Sequence, residues 1–168
     1  MSAWRHVRAI LLLPGVVTVV VPGLIVATAG AEVGWGLDGA AAAAPVALGV
    51  ALIVAGLAIW TWTVRLFARI GEGTLAPWDA TRRLVVEGPY RHVRNPMITG
   101  VLAVLLGEAA LLGSPEILIW SAVFFAINAV YFPLSEEPDL ERRFGDEYRE
   151  YRRDVPRWIP RRTPWSPS

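Results

Sequence analysis

The chain has 168 residues, a length that fits a single domain. Hydrophobic residues make up 54% of it and the mean hydropathy is +0.43, which is too apolar for an ordinary soluble domain. There is no cysteine, which excludes disulfides, thiolate nucleophiles and cysteine-ligated metals. The two histidines lack supporting ligands for a metal site. The net charge of +1 gives no reason to predict a nucleic-acid partner.

The apolar residues are gathered into four stretches. Three of these carry no charged residue, over residues 9–31, 39–64 and 117–135, and the fourth, 95–115, is interrupted only by Glu108. Each is close to the ~20 residues that cross a bilayer as a helix, and a helix satisfies its own backbone hydrogen bonds there. We therefore predict an all-α integral membrane protein that forms one domain, residues 1–168. The predicted spans are residues 9–29, 45–66, 96–113 and 116–134.

The first two predicted spans are joined by small residues. Span one contains Pro14 and Pro22, which can kink a helix but are tolerated in a membrane where neighbouring helices satisfy the freed backbone groups. Its apolar run is long and lacks a clean cleavage site, so we interpret it as a retained span rather than a signal peptide. The Gly/Ala-rich segment 30–44 is predicted to be an external loop.

All sixteen basic residues are arginines, and their distribution predicts the topology. They lie before span one, between spans two and three, and after span four. The loop after span one and the turn after span three carry only acidic residues. By the positive-inside rule, both termini and the central loop face the cytoplasm. We therefore predict a multi-pass protein of the cell (inner) membrane.

The segment after span four is charged, yet it carries an apolar stripe at helical spacing. The stripe consists of Leu140, Phe144, Tyr148, Tyr151 and Val155. It predicts an amphipathic helix over residues 136–155, on the membrane surface or packed over the cytoplasmic ends of the spans, with Gly145 as a weak point. The cytoplasmic loop, residues 67–94, contains a short β-prone run at residues 84–86.

Two polar clusters flank spans three and four. Residues 88–100 join a polar loop to a helix start, whose free N–H groups and dipole favour an anionic ligand group. Alternatively, this segment is an ordinary arginine-rich cytoplasmic flank with a proline helix start. The pair Glu136 and Glu137 suits recognition of an ammonium or sulfonium cation, or else is a solvated acidic start to the tail helix.

In their order along the chain, these clusters resemble the membrane methyltransferases related to isoprenylcysteine carboxyl methyltransferase and phosphatidylethanolamine N-methyltransferase. The resemblance covers residues from about 71 to 160, with a helical hairpin between its first two elements. The elements are residues 83–100 (RLVVEGPYRHVRNPMITG), the pair Glu136 and Glu137, residues 144–151 (FGDEYREY) and residues 155–160 (VPRWIP).

The resemblance implies that S-adenosylmethionine binds on the cytoplasmic side, between the loop before span three, the acidic pair and the tail. The cofactor contacts it implies are Arg82, Arg83, Leu84, Val85, Tyr90, Arg94, Asn95, Pro96, Met97, Ile98, Gly100, Glu136 and Glu137. The predicted substrate contacts are Asn128, Phe132 and Arg157. No catalytic residue is assigned, because methyl transfer from a sulfonium expels a neutral leaving group and depends mainly on alignment.

Three positions depart from the family pattern. Asn95 stands where the family has histidine, and Ile98 where it has tyrosine. Phe132 stands where prenylcysteine-type enzymes have an arginine that can pair with the substrate carboxylate, which argues against such a substrate. We therefore predict an S-adenosylmethionine-dependent methyltransferase acting on a lipid or other lipophilic acceptor at the cytoplasmic face. The alternatives are a non-enzymatic membrane scaffold or lipid-binding protein and, ranked last, a small transporter.

Overall fold

The described part of the chain is helical, as predicted. The computed structural model describes residues 11–70 and 83–167, with side chains from residue 14 onward, and no β-strand occurs in these ranges. The α-helices are α1 (Val21–Ala29), α2 (Ala40–Arg69), α3 (Pro96–Leu112), α4 (Pro115–Tyr131), α5 (Glu137–Phe144) and α6 (Asp146–Asp154). The π-helical segments Leu11–Val20 and Phe132–Glu136 precede α1 and α5, and 3-10 turns occupy Val33–Gly36 and Gly88–Arg91.

Three of the described helical stretches are long and apolar enough to cross a membrane, namely Pro14–Gly36, Ala40–Arg69 and Pro115–Phe144. Helix α3 is also apolar but has only 17 residues. At ~1.5 Å per residue it rises about 26 Å, less than the ~30 Å hydrocarbon core of a bilayer. The chain therefore has the character of a multi-pass membrane protein, while a crossing by α3, the third of the four predicted spans, stays a prediction.

The structure differs from the sequence-based expectation in three segments. Residues 40–44, predicted to be loop, begin α2, because five consecutive alanines have the highest helix propensity and extend the helix. The tail is two helices rather than one, because Gly145 adopts a φ of +55° between α5 and α6. Residues 84–86 form no strand despite their β-prone side chains. Leu84 and Val86 instead pack against a buried aromatic cluster, and Val85 is buried.

The chain divides into two compact units. The first contains the described residues up to Ala58 together with Gly100–Ala126, and the second contains the described residues of Ile59–Thr99 and Ile127–Ser168. Helices α2, α3 and α4 each contribute residues to both. The polar residues predicted to carry function lie mainly in the second unit.

Four glycines bring α2 and α3 together in the first unit. A Cβ on Gly56 would lie 2.5 Å from Gly100 O, and a Cβ on Gly49 would lie 2.7 Å from Gly107 O. The two pairs lie seven residues apart on each helix, and Gly49 pairs with Gly107 whereas Gly56 pairs with Gly100, so the two helices run antiparallel. Small residues of this kind allow helix backbones to approach closely in a membrane.

Trp120 of α4 completes the hydrogen bonding of the first predicted span. A π-helical hydrogen bond to Val17 O would come from the N–H five residues later, but that residue is Pro22. Trp120 Nε1 donates to Val17 O at 3.1 Å instead. A neighbouring helix thus satisfies the group that proline leaves without a donor, as the sequence predicts.

The second unit has an aromatic core. Its buried members are Tyr148, Tyr151, Val155 and Trp165, and the partly buried side chains packed against them are Leu84, Val86, Leu140 and Phe144. The rings of Tyr151 and Trp165 meet edge to face at 5.4 Å. The predicted apolar stripe is therefore one packed face that continues across the break at Gly145, and it contacts the loop and the C-terminal residues.

Candidate active site

The 3-10 turn Gly88–Arg91 fixes Tyr90 against the end of α2. Gly88 has a φ of +56°, which glycine adopts without strain. A Cβ on Gly88 would lie 3.0 Å from Leu66 and 3.1 Å from Trp62, so the turn lies close to the helix. Tyr90 is 7% exposed, and its ring centroid lies 5.6 Å from that of Phe67.

Tyr90 is neutral and hydrogen-bonded to the tail. Burial raises the pKa of Tyr90 well above its usual value, and Tyr151 and the negative charge of Glu136 raise it further. Tyr151 OH donates to Tyr90 O at 2.7 Å, and burial also raises the pKa of Tyr151. Both phenols therefore remain protonated at neutral pH, and the Tyr90 hydroxyl retains a proton to donate.

The first turn of α3 is held by the C-terminal residues. Arg94 N donates to Pro156 O at 2.9 Å, and Asn95 Nδ2 donates to the backbone oxygen of Arg157 at 3.5 Å. Pro96 begins α3 and is fully buried, as suits a residue without an N–H at the first helical position. The helix entry therefore depends on a segment more than fifty residues later in the sequence.

Glu137 binds two arginines. Arg157 forms a two-pronged contact, with Nε 2.6 Å from Glu137 Oε1 and Nη2 3.0 Å from Oε2. Arg94 Nη1 lies 2.9 Å from Glu137 Oε1. The side chains of Glu137 and Arg94 are only 8% and 11% exposed, whereas that of Arg157 is 30% exposed. We call these three residues the Arg94–Glu137–Arg157 cluster.

The cluster has a net charge of +1 and one open donor. Hydrogen bonding to Glu137 raises the pKa of Arg157 above its usual value. Arginine side chains keep their charge in proteins. Arg94 Nε is buried and has no hydrogen-bond partner in the described structure. Two cations around one carboxylate suit the approach of an anionic group, since a buried charge without a counter-charge is costly.

Glu136 differs from its neighbour. It is half-buried, whereas Glu137 is 6% exposed overall. The charge of Glu136 acts on Tyr90, and the charges of Glu137, Asp139 and Arg143 act on Glu136. A half-buried carboxylate is suited to a cationic group, because it attracts positive charge.

Tyr148 belongs to this site, although the sequence placed it in the apolar stripe and in one element of the resemblance and not among the predicted cofactor contacts. It is 2% exposed, and its hydroxyl accepts a hydrogen bond from Arg94 Nη1 at 3.5 Å. Burial raises the pKa of Tyr148, and the charge of Glu137 raises it further. The available signal was the residue type, because a buried tyrosine needs a partner for its hydroxyl.

The remaining predicted residues fall into different surroundings. Arg82 lies outside the described residues, and Arg83 is exposed. Leu84 packs against the aromatic core, Val85 is buried, and Met97 and Ile98 are half-buried on the first turn of α3. Gly100 lies further along α3, at the contact with Gly56.

The predicted substrate contacts lie on three segments. Asn128 is on α4 and is half-buried. Phe132 begins the π-helical segment, is 6% exposed, and meets Trp158 edge to face at 5.8 Å. Arg157 belongs to the Arg94–Glu137–Arg157 cluster. The structure thus brings Tyr90, Arg94, Asn95, Glu137 and Arg157 into one connected network, while their roles as cofactor or substrate contacts stay predictions.

Comparison with known proteins identifies relatives of the same kind. A family model described as phospholipid methyltransferase matches residues 44–147. A protein-S-isoprenylcysteine O-methyltransferase of Schizosaccharomyces pombe is 37% identical over 78 residues, covering 46% of this chain and 33% of that protein. Protein-S-isoprenylcysteine O-methyltransferase B of Arabidopsis thaliana is 33% identical over 84 residues, covering 46% of this chain and 40% of that protein.

The matched region includes α3, α4 and the loop and acidic pair of the site. The chain spans well under half the length of both curated relatives. No solved structure matches it significantly. Because the family model covers more than half of the sequence, and because the motifs found in residues 83–100 and at Glu136–Glu137 fall within it, the chain belongs to the phospholipid methyltransferase family.

Proposed function

We propose that the chain is an S-adenosylmethionine-dependent methyltransferase that acts on a lipophilic acceptor at the cytoplasmic face of a membrane. Membership of the phospholipid methyltransferase family supports the reaction class. The names of the two relatives, both protein-S-isoprenylcysteine O-methyltransferases, support an acceptor with a lipophilic part. The apolar helices support a membrane location.

The observation that carries the proposal is the contact between Arg94 and Glu137. It joins the loop before α3 to the acidic pair after α4, with 2.9 Å between Arg94 Nη1 and Glu137 Oε1. These are the two segments that the family resemblance assigns to the cofactor, and they are 43 positions apart in the numbering (137 − 94). The two side chains are 11% and 8% exposed, so the two segments meet below the surface.

The residues present fit S-adenosylmethionine, which carries both an anionic carboxylate and a cationic sulfonium. The open Nε of Arg94, within the net positive Arg94–Glu137–Arg157 cluster, would hold the carboxylate. Glu136 and the ring of Tyr90 would hold the cationic end. When bound, the cofactor supplies an activated methyl group whose departure leaves a neutral thioether.

The chain's own contribution is binding and alignment. Because the leaving group is neutral, no side chain has to protonate it. Holding the acceptor and the methyl group in line accounts for as much as ~7–11 kcal/mol of a barrier. Burial of Tyr90, Tyr148 and Glu137 excludes water from their surroundings and strengthens the electrostatic contacts there.

The acceptor is lipophilic, and residue 132 does not select it by binding a carboxylate of the acceptor. Phe132 is buried against Trp158 and has no charge to offer. The arginine that prenylcysteine-type enzymes place here is therefore replaced by an aromatic contact, which disfavours a prenylcysteine carboxyl group. An amine, thiol or hydroxyl attached to an apolar chain fits this environment.

Calorimetry on the purified full-length protein in detergent tests the proposal. We expect S-adenosylmethionine to bind, and Glu136→Ala to weaken binding about tenfold, which is about 1.4 kcal/mol. The matched control is Glu147→Ala, which removes the same side chain from an exposed position of α6. Absence of cofactor binding to folded wild-type protein would favour the scaffold instead.

A lipid extract incubated with protein and a radiolabelled methyl donor would then identify the acceptor. Transfer of label to a lipid fraction by wild-type protein, and its loss in Glu136→Ala, is the expected result. Cofactor binding without transfer to any lipophilic fraction would contradict the proposed acceptor class.

A further inference from the structure

The residues after α6 are bound along their length although they form no helix. We call residues 155–167 the C-terminal strap. Three backbone hydrogen bonds of 2.9 Å join the strap to residues 91–94, and their donors are Arg94 N, Arg161 N and Trp165 N. Val155 and Trp165, near the two ends of the strap, are 1% and 5% exposed. The strap and the loop before α3 therefore form one packed piece.

Arg157 connects this piece to the start of α5. Its guanidinium binds both oxygens of Glu137, and its backbone oxygen accepts from Asn95 Nδ2. One residue of the strap thus contacts the acidic pair through its side chain and the entry to α3 through its backbone. Arg157 has more solvent exposure than the other two members of the cluster.

The geometry gives Arg157 a different task from Arg94. A guanidinium that binds both carboxylate oxygens fixes the rotation of the carboxylate as well as its position. Arg94 Nη1 lies 2.9 Å from Oε1 and also donates to Tyr148 OH. The orientation of Glu137, and through it the position of Arg94, therefore depends on the fork from Arg157.

We infer that Arg157 is a positioning residue for the donor site: its fork on Glu137 holds that carboxylate against Arg94 and so fixes the entry to α3. The inference rests on the proposed function, because the entry to α3 is part of the proposed cofactor site. It assigns the strap a role in organising that site. Arg157 itself need not touch the cofactor or the acceptor.

The test uses the full-length protein and the variants Arg157→Ala, Arg157→Lys, Glu137→Gln and the double variant Arg157→Ala/Glu137→Gln. The control is Arg162→Ala, which removes the same side chain from an exposed position of the strap. Two quantities are measured, namely the affinity for S-adenosylmethionine by calorimetry and amide hydrogen exchange of peptides covering residues 88–100. Hydrogen exchange reports the order of the helix entry without cofactor.

We expect Arg157→Ala to bind the cofactor about tenfold more weakly and to exchange faster at residues 88–100. Lysine restores the charge but not the fork, so Arg157→Lys should exchange faster than wild type as well. The double variant should lose no more affinity than Arg157→Ala alone, because both changes break one connection. Arg162→Ala should stay within about twofold of wild type. If Arg157→Ala does not fold, Arg157→Lys carries the test.

Two results would overturn the inference alone. One is wild-type affinity in Arg157→Ala while the wild-type protein binds cofactor. The other is weaker binding with unchanged exchange at residues 88–100, which would mean that Arg157 contacts the ligand directly. Absence of cofactor binding by the wild-type protein is a separate result, since it overturns the proposed function and the inference together.

Discussion

The two compact units are stabilised in opposite ways. In the first, α2 and α3 meet backbone to backbone at Gly49, Gly56, Gly100 and Gly107. In the second, contacts run through side chains, with the Arg94–Glu137–Arg157 cluster and the aromatic core around Trp165. The glycine contact suits a helix pair in lipid. Apolar side chains gain little from leaving lipid, so close packing of small residues holds helices together there.

This difference separates the residues that pack from the residues that can do chemistry. The glycine contact contributes no polar side chain and tolerates no added atom. The second unit carries buried charges and phenols whose partners come from distant parts of the sequence, as with Arg157 and Glu137, 20 positions apart. Substitutions in the two units should therefore fail for different reasons, and the following predictions test that expectation.

Replacement of Trp165 by alanine should have the largest effect on stability. Trp165 is 5% exposed, packs on Tyr151, and donates from Nε1 to Asp154 Oδ2 at 3.2 Å. Removing a buried aromatic side chain costs about 3–5 kcal/mol. Thermal unfolding in detergent measures the loss. The control is Ile159→Ala in the same strap, where the side chain is 80% exposed; an equal loss in both variants would contradict a core role for Trp165.

Gly56→Ala should destabilise the first unit by about 1–3 kcal/mol, the usual cost of overpacking. The new Cβ would lie 2.5 Å from Gly100 O and 2.9 Å from Val104 N, so α2 and α3 must separate. The matched control is Gly23→Ala, where the added atom meets nothing within 4 Å. It should be neutral or stabilising, because alanine favours helix by about 1 kcal/mol over glycine. Equal thermal stability of Gly56→Ala and wild type would contradict the close contact.

Much of the first unit could be predicted from the sequence, because hydrophobic composition and helical span length are local properties. The helical character and the tolerated Pro22 followed from composition alone. The beginning of α2 did not, because the alanines at residues 40–44 are small residues typical of a loop and are also strong helix formers, so composition alone does not decide between the two. The pairing of Gly49 with Gly107 was also beyond the sequence, since many glycines have no close neighbour, Gly23 among them.

The second unit was predictable in outline only. The stripe from Leu140 to Val155 correctly indicated a packed face, and the resemblance named Arg94, Glu137 and Arg157 among its site residues. Nothing in the sequence shows that Arg157 binds Glu137 with both prongs, because that contact depends on the path of the strap. Trp165 lies beyond the resemblance, which ends near residue 160, so its place in the core became visible only in the structure.

Trp120→Phe should have a smaller effect than either core substitution. It removes the donor to Val17 O while keeping most of the aromatic ring. A single hydrogen bond contributes about 0.5–1.5 kcal/mol. Thermal unfolding checks the magnitude. Trp62→Phe serves as the control, since Trp62 is 54% exposed; a loss there as large as in Trp120→Phe would show that the indole ring, not its hydrogen bond to Val17, is what matters.

The smallest predicted effect is a pH dependence of stability. It comes from Asp154, at the end of α6, which accepts a hydrogen bond from Trp165 of the C-terminal strap. Hydrogen bonding from Arg153, and then from Trp165, lowers the pKa of Asp154. A carboxyl group with a lowered folded-state pKa adds stability above its unfolded pKa of ~3.9, and that stability is lost as the pH falls through the folded pKa. Asp154→Asn should therefore unfold at a lower temperature than wild type at pH 7, and the difference should shrink towards pH 3. Because Asp154 is exposed, the difference should also decrease with added salt.

Glu147→Gln, another exposed acid on α6, is the control. A difference for Asp154→Asn that stays constant between pH 7 and pH 3 would mean that its charge does not hold Trp165, and that the strap is fixed by its backbone hydrogen bonds and aromatic packing alone.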